Sequence, residues 1–408
     1  MDRESAPEGI DPSTVIVAGG GILGCLSSLL LVEAGHSVTL IDAAPELWRG
    51  ASAAGEGKIH LGLVYARASA STRSQMLQAA LDFAPIVERA VGERVDWASL
   101  TSDPFDYLVM PDSLASTDEL SAVYRSLDEE HARRGRPPYL GLGVDRLAAL
   151  NPGVDQTGLP VFATAERAID PNLLREVVLD AVARRAPALR VLTGTRVTAV
   201  EHLEGGVRAH LAAGAESTMT AAALVDARWE WQGFGVSGVS TPPRNLRVKS
   251  SVTLPAGASS RTVTLVVGPY GDVVRRSGSV YASWYPAARR AHEHRPFPSP
   301  DAVAALEEAT LAGSAHDSAH EQLAALVELG LLEPGAEPVS RHAGFILGEG
   351  TLDIDSPRSE LHDRRGSGVA IAGKVVLPRT LKFSTAPRAA QEAAAAVTDL
   401  LGGRSARD

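Results

Sequence analysis

The feature that most constrains this chain is a glycine turn between two apolar runs near its start. Residues 14–18 read Thr-Val-Ile-Val-Ala, and Gly19, Gly21 and Gly24 follow with the spacing G-x-G-x-x-G. A second apolar run ends at Asp42. A strand, a glycine turn, a helix and a second strand ending in an acid are typical of a dinucleotide-binding β-α-β unit.

Each part of this pattern has a chemical reason. Gly19 permits the tight turn, Gly21 lets a pyrophosphate approach the backbone, and Gly24 lets the helix pack closely against the strand. The helix N-terminus offers unpaired N–H groups and a partial positive charge to phosphates. Asp42 is the residue type that accepts hydrogen bonds from a ribose. We therefore interpret residues 14–42 as a dinucleotide site rather than an ordinary α/β turn.

Length and composition restrict the alternatives. A chain of 408 residues is too long for one small core and predicts two domains. Its net charge of −10 argues against a general surface for nucleic acid or anionic membranes. The single cysteine, Cys25, excludes an intrachain disulfide framework and a cysteine-rich metal site, and no metal is expected.

Targeting signals are missing from the pattern as well. Residues 1–13 are polar and lack the basic and apolar regions of a signal peptide, and we expect them to form a disordered tail. No apolar run reaches membrane-spanning length. We therefore expect a cytoplasmic protein without a membrane span. The richness in Ala, Arg and Gly is typical of a high-GC bacterial source.

Later segments also carry local structure signals. Asp170 and Pro171 have the pattern of an N-cap and a first helical residue, which predicts a helix to about residue 185. Residues 245–300 contain β-branched and aromatic stretches typical of several strands. Residues 369–372 predict a short strand, and residues 387–401 predict an Ala-rich closing helix.

The order of these elements resembles the D-amino-acid-oxidase superfamily of FAD-dependent oxidoreductases, which includes glycine and sarcosine oxidases and glycerol-3-phosphate dehydrogenases. The resemblance covers most of residues 14–402. It includes the glycine fingerprint, the helix headed by Asp170 and Pro171, and the Val-Asp-Ala segment at 225–227. Within it, residues 57–65 are similar to the Ile-His-x-Gly-x-x-Tyr segment of L-2-hydroxyglutarate dehydrogenases.

This resemblance implies an α/β fold with two interleaved domains. One is a Rossmann-like FAD-binding domain of the glutathione-reductase type, and the other is a substrate domain with a mixed or antiparallel sheet. We expect residues 14–90, 145–235 and 340–408 to form the FAD-binding domain. Residues 91–144 and 236–339 would then form the substrate domain.

The resemblance also selects FAD over NAD. Residues 224–227 and 369–373 look like two later strands that return to the nucleotide domain, which a simple NAD dehydrogenase lacks. Cofactor contacts then follow by motif position. They are Gly19, Gly21, Ile22, Leu23, Gly24, Asp42, Ala43, Ser52, Gly57, Lys58, Ile59, His60, Val197, Ala227, Gly373, Leu381 and Lys382.

One loop departs from the family pattern. Residues 378–385 match the loop at the pyrimidine edge of the flavin, where many relatives are rich in glycine. Here Arg379 and Lys382 replace small residues. Lys382 could place a positive charge beside the flavin and stabilise its anionic reduced form, or it could be a solvated loop lysine. Both interpretations stay open.

Four residues are candidates for the chemistry. His60 has a side chain that titrates near neutrality and could act as a base, as a structural or flavin-orienting group, or as a covalent flavin link. Arg341 could clamp a substrate carboxylate, or it could lie at the surface. Tyr281 belongs to an aromatic group suited to a small-molecule pocket, and Lys382 is the fourth candidate.

From these residues and the resemblance we predict FAD-dependent oxidation of a C–O bond in a small hydroxy acid or related polar metabolite, by hydride transfer to flavin N5. The alternatives are an amine or amino-acid oxidase of the same fold, a flavin-binding protein without turnover, and an aromatic hydroxylase. The expected partner is a small-molecule substrate, with no nucleic acid. The electron acceptor, either oxygen or a carrier, is left open because it depends on a few atoms around the flavin.

Overall fold

A computed structural model describes residues 10–363, 368–380 and 382–402. Within them, the helices α1–α10 are Ile22–Glu33, Ala51–Ala54, Ala70–Val91, Trp97–Leu100, Thr117–Arg133, Pro171–Arg184, Tyr285–Ala288, Pro300–Glu308, Ala319–Glu328 and Ala386–Gly402. The strands β1–β9 are Thr14–Ala18, Ser37–Ile41, Asp106–Val109, Gly153–Val154, Pro160–Ala163, Leu189–Leu192, Arg196–Leu203, Gly206–Ala212 and Thr218–Ala221. The strands β10–β18 are Ala223–Asp226, Arg244–Pro255, Val263–Val266, Gly271–Arg275, Ser279–Trp284, Arg289–Arg295, Ser340–Gly348, Gly368–Ala372 and Val375–Arg379.

The first sheet has six strands in the order β17-β18-β10-β1-β2-β6. All neighbouring pairs are parallel except β17 with β18. Its central strands are apolar on both faces, as a sheet covered on both sides requires. In β1, Val15 and Val17 pack on the helical side while Ile16 and Ala18 pack on the other.

Two further layers cover this sheet. Helix α1 lies against α10, α3 and α6 on one face, and the three-stranded antiparallel sheet β7-β8-β9 covers the other. Because α1 is enclosed between neighbours, nearly all of its residues are buried and it lacks a polar face. Among the helices that the structure describes, none is long and apolar enough to cross a membrane.

The second sheet has nine strands, with the path β15-β11-β14-β13-β12-β3-β5-β4 and β16 added beside β11. The long strand β11 organises it: β15 and β14 pair with its first and second halves, and β16 pairs along its other edge. Alternate residues of β11 therefore lie on the same face of the sheet.

Sheet membership differs from the segment boundaries expected from sequence. Strands β4 and β5 lie within residues 145–235, and β16 opens residues 340–408, yet all three belong to the nine-stranded sheet. Strand β16 belongs to the nine-stranded sheet because it pairs with β11 and because Phe345 packs in an apolar cluster with residues of α8. We propose that the nucleotide-binding segments begin after β5 and after β16.

The glycine turn has the tight geometry that its sequence predicts. Gly19 has φ of +103°, a region that favours glycine, and a Cβ there would lie 2.6 Å from the Ala227 carbonyl oxygen. A Cβ on Gly24 would lie 1.7 Å from the Gly19 carbonyl oxygen. The first turn of α1 therefore packs directly on the loop that precedes it.

This contact gives a stability test. Gly→Ala inside a helix normally stabilises by roughly 0.5–1 kcal/mol. We expect Gly24→Ala to lower the free energy of unfolding instead, by about 1–3 kcal/mol, because the backbone must shift to admit the methyl group. Urea unfolding measures it. The control is Gly143→Ala, whose Cβ meets nothing within 4 Å. Equal stability of the Gly24 variant and wild type would contradict the packing described.

Candidate active site

Three connected cavities run along the junction of the two sheets. The dinucleotide groove holds about 570 Å³, the middle cleft about 150 Å³ and the inner cavity about 160 Å³. Trp229 and Phe383 line both the groove and the cleft, whereas Lys58 and His60 line both the cleft and the cavity. Lys382 lines all three. The cavities therefore form one path from the surface groove to the interior.

The groove lies at the carboxyl ends of the parallel strands. Asp42, directly after β2, accepts hydrogen bonds from the backbone N–H groups of Gly20 and Ala44 and so braces the glycine turn. Ser52 accepts from the N–H of Ile22 at 3.0 Å, at the start of α1. Predicted residues that line the groove are Gly19, Gly21, Ile22, Leu23, Asp42, Ala43, Ser52, Val197, Ala227 and Lys382.

These residues fit a dinucleotide. The groove has the volume of a large ligand and ends at the N-terminus of α1. Gly21 leaves the turn without a side chain, and a Cβ there would lie only 2.8 Å from the Ser52 hydroxyl oxygen. A helix N-terminus approached through glycine is a site for a pyrophosphate. The middle cleft continues the groove toward the inner cavity.

Several predicted cofactor residues lie elsewhere. Gly373 occupies the β17–β18 turn, at the opposite end of the six-stranded sheet from the groove, because β17 runs antiparallel to β18. Ile59 is fully buried in the core and lines none of the three cavities. Gly24 acts through packing on Gly19 rather than by lining the groove. Leu381 lies outside the described residues.

The segment that crosses the cleft is extended, with alternating faces. Glu56, Lys58 and His60 line the cleft and the inner cavity, whereas Ile59 and Leu61 are fully buried in the core. A period of two is the signature of extended backbone, in which successive side chains point to opposite sides. The polar residues of this segment therefore meet the site together. Gly57, with φ of +75°, lies in the middle cleft as predicted by motif position.

Strand β11 supplies the facing wall through the same alternation. Arg247 and Lys249 line the inner cavity, and Lys249 and Ser251 line the middle cleft. Val248, between Arg247 and Lys249, and Val252, after Ser251, are buried in apolar clusters on the other face. A strand that alternates basic and apolar residues thus turns its charged face toward the site.

Two lysines in the site are paired with carboxylates. Lys58 Nζ lies 2.5 Å from Asp272 Oδ1 and 4.3 Å from the centre of the Phe105 ring, and both charged side chains are largely buried. Lys249 Nζ lies 4.0 Å from Glu56 Oε2. Burial raises the pKa of Glu56, but the positive charges of Lys249, Lys382 and Lys58 outweigh it and hold this pKa below the usual range.

Arg247 is the arginine that the structure brings to the inner cavity. Its residue exposure is 3%, and Nη1 lies 3.2 Å from the Tyr285 hydroxyl and 3.4 Å from Asp353 Oδ1. Among the described residues, its buried Nε and Nη2 have no hydrogen-bond partner. Since a buried guanidinium is costly without partners, these donors are available to an anion.

Arg341, the arginine favoured by sequence, lies elsewhere. It lines none of the three cavities, and its Nε is 3.0 Å from Asp317 Oδ1. The pairing of β16 with β11 sets this position, with Arg341 opposite Val252. Its charge is therefore engaged in a structural ion pair, which corrects its expected place in the site.

His60 is buried beside a carboxylate. Its Nδ1 lies 3.5 Å from Glu166 Oε1, and its ring meets the Tyr65 ring edge-on with 5.5 Å between centres. Burial lowers the pKa of His60; Glu166 opposes this change, whereas the nearby charges of Lys382 and Lys58 add to it. The net effect favours the neutral imidazole.

Tyr281 lines the middle cleft. It is 2% exposed, and the guanidinium of Arg276 lies 5.5 Å from its ring centre. Burial raises the pKa of the Tyr281 phenol, whereas the nearby charge of Lys249 lowers it, and the phenol stays neutral. Tyr281 therefore lies beside Lys249 in the cleft as a neutral group.

Sequence reasoning did not single out Arg247, Lys249, Glu56 or Glu166. The alternation Arg-Val-Lys in β11 is the signal that could have found the first two, because charged residues at every second position of an apolar strand need a common polar surface. Glu166 carries no such signal, since its contact with His60 joins residues 106 positions apart. Among the described residues, no group of three His, Cys, Asp or Glu is arranged to hold a metal ion.

The comparisons with known proteins agree with this geometry. The model of the DAO family, described as FAD dependent oxidoreductase, matches residues 14–312. No functionally curated protein matches the chain significantly. Solved structures share the fold across nearly the whole chain.

Three of them illustrate the range. Glycine oxidase from Geobacillus kaustophilus is 16% identical, with 95% of this chain and 94% of that one covered and a TM-score of 0.59. NikD, an unusual amino acid oxidase essential for nikkomycin biosynthesis, is 14% identical, with 97% and 96% covered and a TM-score of 0.62. L-alpha-glycerophosphate oxidase from Mycoplasma pneumoniae with FAD bound is 14% identical, with 95% of each chain covered and a TM-score of 0.57.

The groove also contains a titratable group that gives a pH test. Burial raises the pKa of Glu230 from 4.5 to about 7, and the charge of Asp42 adds to this. In the unfolded chain the carboxyl ionises near its ordinary value, so the folded state loses stability as pH rises from about 4.5 to about 7. Glu230→Gln removes this dependence.

We therefore expect the FAD-free Glu230→Gln variant to gain thermal stability relative to wild type as pH rises from 5 to 8. Scanning calorimetry at several pH values measures the difference in melting temperature. A surface control is Glu216→Gln, whose carboxylate pairs with exposed Arg190. A difference between the Glu230 variant and wild type that stays constant over this pH range would contradict the raised pKa described for Glu230.

Proposed function

We propose that this chain, which belongs to the FAD-dependent oxidoreductase family, oxidises the hydroxyl-bearing carbon of a small hydroxy acid. When bound, FAD would supply the acceptor for a hydride from that carbon. The protein must then bind the carboxylate, hold the substrate against the cofactor and accept the hydroxyl proton. Each of these tasks has a candidate residue along the cleft and inner cavity.

The observation that carries the proposal is the charge of the inner cavity. Among the described residues, five cationic side chains and two carboxylates line it: Lys58, Arg67, Arg247, Lys249 and Lys382, with Glu56 and Asp272. Both carboxylates already lie beside lysines. The lining as a whole is therefore net positive, which favours an anion and disfavours a ligand with its own ammonium group.

Arg247 is the proposed carboxylate site. Its unpartnered Nε and Nη2 form one edge of the guanidinium, which is the arrangement that binds a carboxylate through two parallel hydrogen bonds. Asp353 and Tyr285 contact Nη1 and fix the orientation of the group. A substrate carboxylate bound here would lie in the inner cavity, next to the cleft that His60 also lines.

His60 is the proposed base. A neutral imidazole can accept the hydroxyl proton while hydride leaves the same carbon, and the lowered pKa of His60 keeps the imidazole neutral near pH 7. Lys382 and Lys249, which line the cleft, would place positive charge beside the cofactor and stabilise negative charge on its reduced form. This is one of the two interpretations of Lys382 that the sequence left open.

A second candidate is oxidation of an amine or amino acid. Glu56 favours it, because its carboxylate is ionised and lines both the cleft and the cavity, where it could accept hydrogen bonds from an ammonium group. Glycine oxidase and NikD, by their names, act on substrates of this class. The charge balance of the cavity argues for the hydroxy acid.

The test is anaerobic mixing of the FAD-loaded protein with panels of 2-hydroxy acids, amino acids and N-methyl amino acids. We expect bleaching of the flavin absorbance with one or more hydroxy acids, formation of the matching keto acid, and no ammonia or amine release. Reduction by amino acids with ammonia release would establish the second candidate. Failure of every panel would indicate a flavin-binding protein without turnover.

Arg247→Met tests the carboxylate site. Loss of a buried charged hydrogen bond costs about 2–5 kcal/mol, so we expect kcat/KM for the hydroxy acid to fall by about 30-fold or more. Arg341→Met is the comparison, since both residues are arginines of adjacent strands. We expect its kcat/KM to match that of wild type, because Arg341 pairs with Asp317 away from the cavity. Equal losses in the two variants would contradict this assignment.

A further inference from the structure

Behind His60 lies a buried carboxylate that the oxidation described above does not use. Glu166 is 0% exposed, and its position directly after β5 places it beside β3. Its Oε2 accepts a hydrogen bond from the N–H of Leu61 at 2.7 Å, and its Oε1 accepts one from the Tyr107 hydroxyl. A fully buried carboxylate is retained only where such donors compensate for the loss of water.

We propose that Glu166 and Tyr107 form a buried pair that fixes the proton of His60 on Nδ1 and leaves Nε2 as the basic nitrogen. Glu166 is then a positioning residue, since it acts on the substrate through His60. The inference rests on the proposed function only in taking His60 as the base. The placement of the ring proton stands on the contacts alone.

The surroundings of His60 Nδ1 decide which ring nitrogen carries the proton. Nδ1 is buried, has no hydrogen-bond partner of standard geometry among the described residues, and lies 3.5 Å from Glu166 Oε1. A bare Nδ1 would set its lone pair against those of the carboxylate. An Nδ1–H group instead places its positive end near the carboxylate charge, so the contact favours this tautomer.

The other ring nitrogen of His60, Nε2, is the one left to accept a proton. Because Nδ1 faces Glu166, the opposite edge of the imidazole carries Nε2, and the ring lines both the cleft and the inner cavity. In the proposed oxidation the O–H bond of the substrate breaks and its proton moves to Nε2. The resulting imidazolium is stabilised by Glu166, which keeps its charge and its proton-free state throughout.

Backbone hydrogen bonds also fix the position of Glu166. The backbone N–H of Phe105 donates to the Glu166 carbonyl at 2.8 Å, and the Glu166 N–H donates to Thr164 Oγ1 at 3.2 Å. These bonds hold the backbone of Glu166 beside the start of the strand that carries Tyr107. Its carboxylate cannot turn away from the imidazole without breaking the buried hydrogen bonds from Leu61 and Tyr107.

Other charged and titratable groups face this pair from several elements. Lys58 and Lys382 lower the pKa of His60, whereas Glu166 raises it. Glu56 belongs to the same extended segment as His60 and lies among lysines, whose charges hold its pKa below the usual range, with a smaller contribution from His60. Burial raises the pKa of the neighbouring Tyr124 phenol, and the charge of Glu166 adds to this, so Tyr124 is neutral near pH 7.

The experiment compares three variants of the FAD-loaded protein. Glu166→Gln removes the charge and keeps the shape. Tyr107→Phe removes one donor to the carboxylate and keeps the ring. Tyr124→Phe is the matched control, because the Tyr124 ring packs 6.3 Å from that of Tyr107 and its hydroxyl has no hydrogen-bond partner in the described part of the chain.

Nitrogen-15 NMR of labelled histidines reports both the tautomer and the pKa of His60, with His60→Gln assigning the signals. We expect the Nδ1–H form in wild type. Glu166→Gln should lower the pKa of His60 by about one unit or more, since an adjacent opposite charge is lost. Tyr107→Phe should raise it, because the carboxylate then interacts more strongly with Nδ1–H. Tyr124→Phe should leave it unchanged.

An Nε2–H form in wild type, or no change in the pKa of His60 in both Glu166→Gln and Tyr107→Phe, would overturn the proposal. The opposite directions of the two shifts exclude a general loss of structure, and Tyr107→Phe suffices if Glu166→Gln does not fold. The acidic limb of kcat/KM against pH is measured separately. If it fails to follow the His60 pKa while NMR shows the shifts, the base role fails and the placement of the proton stands.

Discussion

The buried ion pair between Lys58 and Asp272 is the contact on which the site depends. Lys58 belongs to the segment that follows the glycine groove, and Asp272 belongs to β13 of the nine-stranded sheet, so the pair joins the two halves of the molecule across the cleft. Removal of one partner from a buried pair costs about 3–5 kcal/mol, because the other charge is left without compensation. This cost holds the cleft at a fixed width.

The two sheets contribute different physical properties to one path. The six-stranded sheet supplies backbone, with a glycine turn and a helix N-terminus at its carboxyl edge, and it suits phosphates and a ribose. The nine-stranded sheet supplies side chains, and alternation along β11 turns Arg247 and Lys249 toward the interior. Lys382, from the loop after β18, lines every part of the path and links the two contributions.

Local chemistry explains which expectations the structure confirmed. The dinucleotide-binding β-α-β unit followed from a contiguous motif, because the turn at Gly19 and the packing of Gly24 are decided by neighbours in sequence. The FAD-binding family followed from the order of elements over most of the chain. Arg341 and Gly373 were located wrongly, since strand pairing and strand direction decide their positions and neither can be read from a short motif. The contact of Glu166 with His60 was missed for the same reason. The roles of His60, Tyr281 and Lys382 stay predictions.

The central claim is that the cavity beside the cofactor selects an anion. The most direct measurement is a titration of the FAD-loaded protein with small unreactive ligands, followed by the visible absorbance of the flavin. We expect saturable spectral changes with a carboxylate such as malonate, weakened by salt, and none with an alkylammonium ion of similar size. Saturable binding of the ammonium ion with no response to the carboxylate would contradict it.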